Sequence, residues 1–563
     1  MKSFAKRLVF VALSTFLILG SCSLLGDDLS FPFIAETVWP LPAVQPKLPI
    51  GMNVNDVSYW SRSLMFTDVM KTSSTFITFT GGWDGPWDTA MVNELNCDAN
   101  GYPLGLPQRT SDGIESVVRF LINNYYTGLF RIDFEGEGEL SGAAQKAADG
   151  NYYVRLDGSG NNTWISILRS NSSNHVRNIQ IVPTTILKGT AFPTFYSPFL
   201  EGLRPFHALR FMETIHTNGS LQVHWTDRVT KSWYTQSGPN GVSFDYLIEL
   251  CNELKTDAWI CVPHGASDDY MRRLAVLWRD KLEPGLKIYL EYSNEIWNWQ
   301  FSQATYIDQN APGAVDAYVS TGLVNDTQAS NGVPYLHYKF GWMMRRLFNI
   351  WEKEFAGQRS RLITVGTGQH VWTGLNQYVL EYLFDIDGGG CDAFAIGGYF
   401  SEYPATQSNF WSVDDSLVPR PENILDAVYA NMFREDDPND PYDLPTPMAT
   451  RATAELVHAR KIPLLVYEGG QHMQPLNQQD WAYNPVLWAA HIHPKMYQLY
   501  QWNFAVHVEP KVQCELFMAF NYVSDRKSRY GSWGHLENLN QIGTNYATTA
   551  PKYRALLDAN TPK

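Results

Sequence analysis

Eight short apolar runs, most of them followed by a segment of helical character, constrain this chain more than any other feature. The runs are Ile50–Val54, Ala208–Met212, Ala258–Val262, the stretch from Ile288, Leu362–Val365, Ala393–Ile396, Leu464–Tyr467 and Leu516–Phe520. Each has the length and the aliphatic or aromatic content of a buried strand. Between them, apolar residues recur at helical spacing in Phe244–Leu254, Asp269–Leu282, Tyr335–Phe355, Asn376–Leu383, Pro421–Phe433 and residues 484–504. Pro421 suits a first helical turn, where its missing N–H costs nothing. Residues 61–73 are the helix expected after the first strand. Strand–helix alternation repeated eight times is the pattern of a closed parallel barrel with an outer ring of helices.

The expected fold class is therefore α/β, a (β/α)8 TIM barrel, with one interruption. Residues 118–183 switch to a period of two: Phe130, Ile132 and Phe134 point one way, Arg131, Asp133 and Glu135 the other. Similar runs at Tyr152–Leu156, Trp164–Leu168 and Val176–Val182 are separated by Gly, Asn and Ser clusters, which predicts a small β-sandwich-like domain inserted between strands one and two. Such an insert could bind carbohydrate or serve only structure. Ahead of it, residues 77–108 read as turn chemistry, with Asp98-Ala-Asn-Gly-Tyr-Pro as a hairpin or tight loop. The layout is a leader over 1–22, a proline-bearing tether over 23–48, the first strand and helix with a loop region over 49–117, the insert over 118–183, and the rest of the barrel over 184–563.

The leader has its own logic. Lys2, Lys6 and Arg7 precede an apolar run from Leu8 to Leu19, too short to span a bilayer and followed by Gly20-Ser21-Cys22. That order predicts export. Leu19-Gly-Ser-Cys22 resembles the lipobox of bacterial lipoproteins, which implies that Cys22 becomes the lipidated first residue of the mature chain; Ser23 is compatible with delivery to the outer membrane or cell surface. Ordinary cleavage, giving a secreted or periplasmic protein, is the other reading. Any membrane contact is expected only through this anchor. The remaining cysteines, Cys97, Cys251, Cys261, Cys391 and Cys514, have no zinc-like or redox spacing, so buried inert thiols are expected, with one disulfide possible.

A net charge of -14 argues against nucleic acid or anionic lipid as a main partner, because phosphate recognition needs a basic surface. A neutral substrate fits better. No Asp-rich calcium loop, phosphate-cradling Gly loop or His-Glu-x-x-His motif is present, so neither a metal nor a cofactor is expected. The sequence leaves the oligomeric state open.

The chemistry concentrates where two strands end. Lys287-Ile-Tyr-Leu-Glu-Tyr-Ser-Asn-Glu-Ile-Trp-Asn-Trp299 is an apolar run that stops at Asn294-Glu295. Asn-Glu also occurs at Asn93-Glu94 and Asn252-Glu253, but the latter lies within a helical pattern and the former follows no strand-like run. Strand seven ends Tyr467-Glu468-Gly469-Gly470. In a parallel barrel the C-terminal strand ends form the active face, so Glu295 and Glu468 are expected at one level of one mouth. Paired carboxylates there suit glycoside cleavage, one donating a proton to the leaving oxygen and one attacking the anomeric carbon. Retention needs a separation of about 5–5.5 Å, inversion roughly 6.5–9.5 Å.

These residues resemble those of clan A of the glycoside hydrolases, the retaining (β/α)8 group of cellulases, mannanases and xylanases. The resemblance covers residues 49–54 and 200–540 and rests on short motifs. It implies Glu295 as acid/base, Glu468 as nucleophile, and Asn294 as a donor to the sugar 2-hydroxyl. It further implies Arg210 beside the nucleophile, with His264 and Tyr399 at substrate-contacting positions. Trp297, Trp299 and Trp533 are candidate stacking platforms, with Trp372 and Trp411 near the same face. The phrases around Glu295 and Glu468 are also similar to a group of large secreted bacterial proteins labelled as carbohydrate-binding. The expected function is a retaining glycoside hydrolase acting from within on a β-linked glucan, xylan or mannan, with a polysaccharide or oligosaccharide as partner. A non-catalytic glycan-binding protein on the same scaffold, or a transglycosylase, is the alternative.

Overall fold

The computed structural model describes residues 39–79, 95–106, 117–311, 333–400, 421–435, 445–473, 484–528 and 531–563. The leader, Cys22, Trp411 and Asn93-Glu94 lie outside the described residues. Eight parallel strands close into a barrel in sequence order: Ile50–Asn53, Ala208–Arg210, Asp257–Val262, Ile288–Tyr292, Leu362–Thr367, Ala393–Phe400, Leu464–Gln471 and Leu516–Ala519. The first pairs with the last through Ile50 opposite Phe517 and Met52 opposite Ala519. The (β/α)8 expectation is met. Trp259, Cys261, Val365, Ala395, Leu465, Tyr467 and Met518 fill the interior as one buried cluster. At about 25 cal/mol per Å2, burial of such side chains is the main force closing the ring.

The expected helices appear at Phe244–Leu254, Asp268–Lys281, Val333–Glu354, Thr373–Glu381 and Pro421–Met432. Residues 484–504 instead form two helices, Asn484–Ala490 and Pro494–Val508, because Pro494 has no N–H to continue the first and starts the second. A further helix, Thr446–Ala459, precedes strand seven. The 61–73 helix is not formed. There, only a single 3-10 turn, Val69–Thr72, is found. Asp68 holds it to the insert, one carboxylate oxygen accepting from the Met70 N–H at 3.0 Å and from the Ile181 N–H at 2.8 Å. Leu64, Met65, Phe66, Val69 and Met70 are all buried, so the segment has no polar stripe to show solvent. No described helix is long and apolar enough to cross a membrane.

Between strands one and two the chain builds two four-stranded antiparallel sheets. One contains Val117–Ile122, Gly138–Gly142 and Thr163–Ser170; the other contains Thr127–Glu135, Gln145–Lys146, Tyr152–Asp157 and Arg177–Pro183. The first sheet also takes Ile77–Phe79, which reads as part of a turn region and is too short to announce itself as a strand. The Leu140 N–H donates across the two sheets to the Tyr152 hydroxyl at 3.4 Å. All five described cysteines are free. That corrects the possible disulfide, and Cys97, expected to be buried, is exposed while the other four are buried.

Candidate active site

The active-face residues are organised by one guanidinium. Arg210, the last residue of strand two, is fully buried and lies among four barrel strands and the turn after strand four. Its Nε and Nη2 donate to the two oxygens of Glu291 at 2.9 and 3.0 Å. Nη1 donates to Asn53 Oδ1 at 3.0 Å and to Glu468 Oε2 at 3.1 Å, and Nη2 to Asn294 Oδ1 at 2.7 Å. A planar fork matches this set as no ammonium could. Glu291 is the buried counter-ion, and it also accepts from Trp259 Nε1 at 2.7 Å and the Cys261 thiol at 3.2 Å. From sequence alone it is inconspicuous, because it sits inside an apolar strand rather than at its end.

Glu468 lies within strand seven, and Arg210 points it toward the mouth. Glu295 lies three residues beyond the end of strand four, in a turn where Ser293 and Glu295 themselves take positive φ angles of 56° and 39°. Two non-glycine residues in that region are uncommon and mark a turn fixed by its surroundings. Gln303 donates to the Asn294 carbonyl at 2.8 Å and to Asn218 Oδ1 at 2.7 Å, while Asn294 Nδ2 donates to the same Asn218 oxygen at 3.1 Å. Asn298 Nδ2 donates to Glu295 Oε2 at 3.0 Å.

Glu295, Glu468, Asn294, Tyr399 and Trp533 share one cavity of about 980 Å3. Burial pushes both carboxyls up from their ordinary range. The charge of Glu295 raises Glu468 further, while Arg210 acts against the rise on both. Two carboxyls raised in this way favour a state with one proton between them. The guanidinium rests directly on Glu468 and favours its charge, which leaves that proton for Glu295.

Aromatic residues line the same cavity. Trp533 meets Tyr399, Phe520 and His472 with ring centroids 5.9, 5.8 and 4.8 Å away. Burial and the two glutamates push the Tyr399 hydroxyl well above its ordinary value, so it stays protonated. Phe520, directly after strand eight, and His472 were not singled out from the sequence. Nor were Asp56 and Glu213, both on the cavity wall. Glu213 Oε2 accepts from Asn521 Nδ2 at 2.9 Å and Asn55 Nδ2 at 3.4 Å, and burial pushes its carboxyl to about 8. The signal available was an acid three residues beyond Arg210.

His264, Trp297, Trp299 and Trp372 do not line this cavity. His264 packs edge-on against Tyr306 at 5.0 Å, and burial lowers its proton affinity. Trp299 is exposed, Trp297 buries its indole N–H without an acceptor, and Trp372 packs on His337. Among the described residues no group of three or more His, Cys, Asp or Glu is arranged to hold a metal ion.

No family model and no curated protein matches the chain. Solved structures similar to it include native xylanase10C from Cellvibrio japonicus, at 11% identity and a TM-score of 0.34, covering 86% of this chain and 97% of that one. A GH51 arabinofuranosidase from Xanthomonas axonopodis pv. citri matches at 13% identity and a TM-score of 0.33, over 60% of this chain and only 63% of its own length. The GH53 catalytic domain from Ignisphaera aggregans matches at 9% identity and 0.32, over 66% and 89%. Likeness of this degree decides nothing about chemistry, which rests on the residues themselves.

Proposed function

We propose that this chain is a retaining glycoside hydrolase that cleaves within a β-linked polysaccharide of the glucan, xylan or mannan type. The observation that carries the reading is the arrangement of two glutamates on the wall of one cavity, Glu468 within strand seven and Glu295 in the turn after strand four, with a buried arginine on Glu468. Glu468, held ionised by Arg210, attacks the anomeric carbon as Glu295 protonates the leaving oxygen. Glu295 then takes a proton from water, which hydrolyses the glycosyl–Glu468 ester. Asn294, oriented through Arg210 and Asn218, donates to a hydroxyl of the bound sugar. Trp533 and Phe520 offer ring faces to sugar faces, and a cavity of about 980 Å3 has room for more than one ring. Export with a lipid on Cys22 belongs to the same reading, since a polysaccharide is met outside the cell.

Reducing-end release by the purified protein on cellulose, mixed-linkage glucan, mannan, xylan and galactan tests the proposal. Release from one of them by the wild type, and from none by Glu468→Gln, supports it. Equal release by both proteins would overturn the assignment.

A further inference from the structure

Away from the catalytic cavity, the last helix, Pro551–Ala559, begins over a void of about 10 Å3, room for a single water-sized particle. Its N-cap residue is Ala550, and no side chain caps its first-turn N–H groups. A helix start left open in this way attracts negative charge. The side chains around the void share that preference. His491 is 1% exposed, and neither of its ring nitrogens has a partner. Arg526 leaves its Nε–H without a partner, while His535, also 1% exposed, donates from Nδ1 to the Asn521 carbonyl at 2.8 Å. Lys552, 5% exposed, reaches the Ser532 carbonyl at 2.7 Å.

The charges do not balance. Glu537 is the one carboxylate lining the void and faces two cations, Arg526, which it pairs with at 3.5 Å and whose Nε is left without a partner, and Lys552. Burial pushes the ammonium down to about 7 and holds His491 and His535 well below their ordinary range. A water molecule would satisfy the nitrogens but not the charge.

We propose that this void is a binding site for one small monovalent anion of the halide class, seated at the start of Pro551–Ala559 against Lys552, His491 and Arg526. The ion would accept from Lys552, from the unpartnered Arg526 Nε–H and from one N–H of His491, and return Lys552 to its charged form. It would also steady the segment that carries Trp533, because the Ser532 carbonyl that Lys552 holds accepts from Gln471 Nε2 at 2.9 Å as well.

Crystals of the full protein soaked in sodium bromide test this directly by anomalous scattering. An anomalous peak in the void between Lys552 and His491 is expected. Bromide absent from the void, or density with the scattering of water alone, would overturn the site. In solution, Tm should rise saturably by roughly 2–6 °C when gluconate is replaced by chloride at constant ionic strength. Lys552→Met should lose that increment while keeping the gluconate Tm within a few degrees of wild type. A chloride response unchanged in Lys552→Met would contradict the proposal, and the bromide experiment decides alone should the variant not fold.

Discussion

The Arg210 guanidinium donates to the Glu468 carboxylate at 3.1 Å from a position with no exposure to solvent, and the same side chain holds Glu291 with two further bonds. One cation thus serves two anions, one kept for structure and one facing the cavity. Removing it leaves both uncompensated. Arg210→Met should destabilise the fold by about 3–5 kcal/mol, the cost of breaking a buried ion pair from one side. Chemical denaturation measures it; a loss below about 1 kcal/mol would mean that the arginine does not hold the barrel mouth together.

Glu295→Gln keeps the shape of the side chain and its contact with Asn298 but cannot supply a proton. We expect kcat on an unactivated glycan to fall by roughly 10²–10⁴. A substrate whose leaving group needs no proton should recover the first step, so the deficit should shrink on an aryl glycoside with an acidic phenol. An equal deficit on both substrates would deny Glu295 the acid role.

Glu213 links stability to pH. Its folded carboxyl sits at about 8, above the ordinary value of 4.5, so the folded state binds the proton more tightly than the unfolded one. Its contribution is fully present below pH 4.5 and is lost as pH rises through 8. Wild-type Tm should therefore fall across this window, and Glu213→Gln should flatten the decline. Parallel Tm profiles for the two proteins would show that Glu213 does not titrate in this way.

Trp533→Ala should raise KM roughly two- to tenfold with a smaller effect on kcat, since a lost stacking face is worth about 0.5–1.5 kcal/mol. Trp299→Ala, at an exposed position outside the cavity, should leave both constants unchanged. Initial-rate kinetics on a soluble oligosaccharide separate the two tryptophans; equal effects would remove Trp533 from the binding wall.

Much of this architecture was legible because burial writes itself into strands. Runs such as Ala258–Val262 and Leu464–Tyr467 are apolar on both faces, as barrel strands must be. The acids that interrupt or end such runs stand out, and Glu468 and Glu295 were found that way. Glu291 was missed by the same logic, because a carboxylate inside a strand is explained only by the guanidinium that reaches it from strand two. Glu213, Phe520 and His472 escaped because strand ends do not reveal which way the following loop turns. The segment 61–73 misled for another reason: its apolar residues bury against the inserted sheets, a contact that local periodicity does not encode. The tryptophans after Glu295 looked like platforms, but the tight turn at Ser293 and Glu295 carries Trp297 and Trp299 off the cavity wall.

The central claim is that Glu468 forms a bond to the sugar. Incubation with a 2-deoxy-2-fluoro glycoside bearing a good leaving group, followed by intact-mass and peptide mass spectrometry, tests it most directly. The account predicts a stoichiometric mass increase of one fluoro-sugar, carried on the peptide containing Tyr467-Glu468-Gly469, and no adduct in Glu468→Gln. A sugar attached to any other residue, or turnover of the natural glycan with inversion at the anomeric carbon, would contradict it.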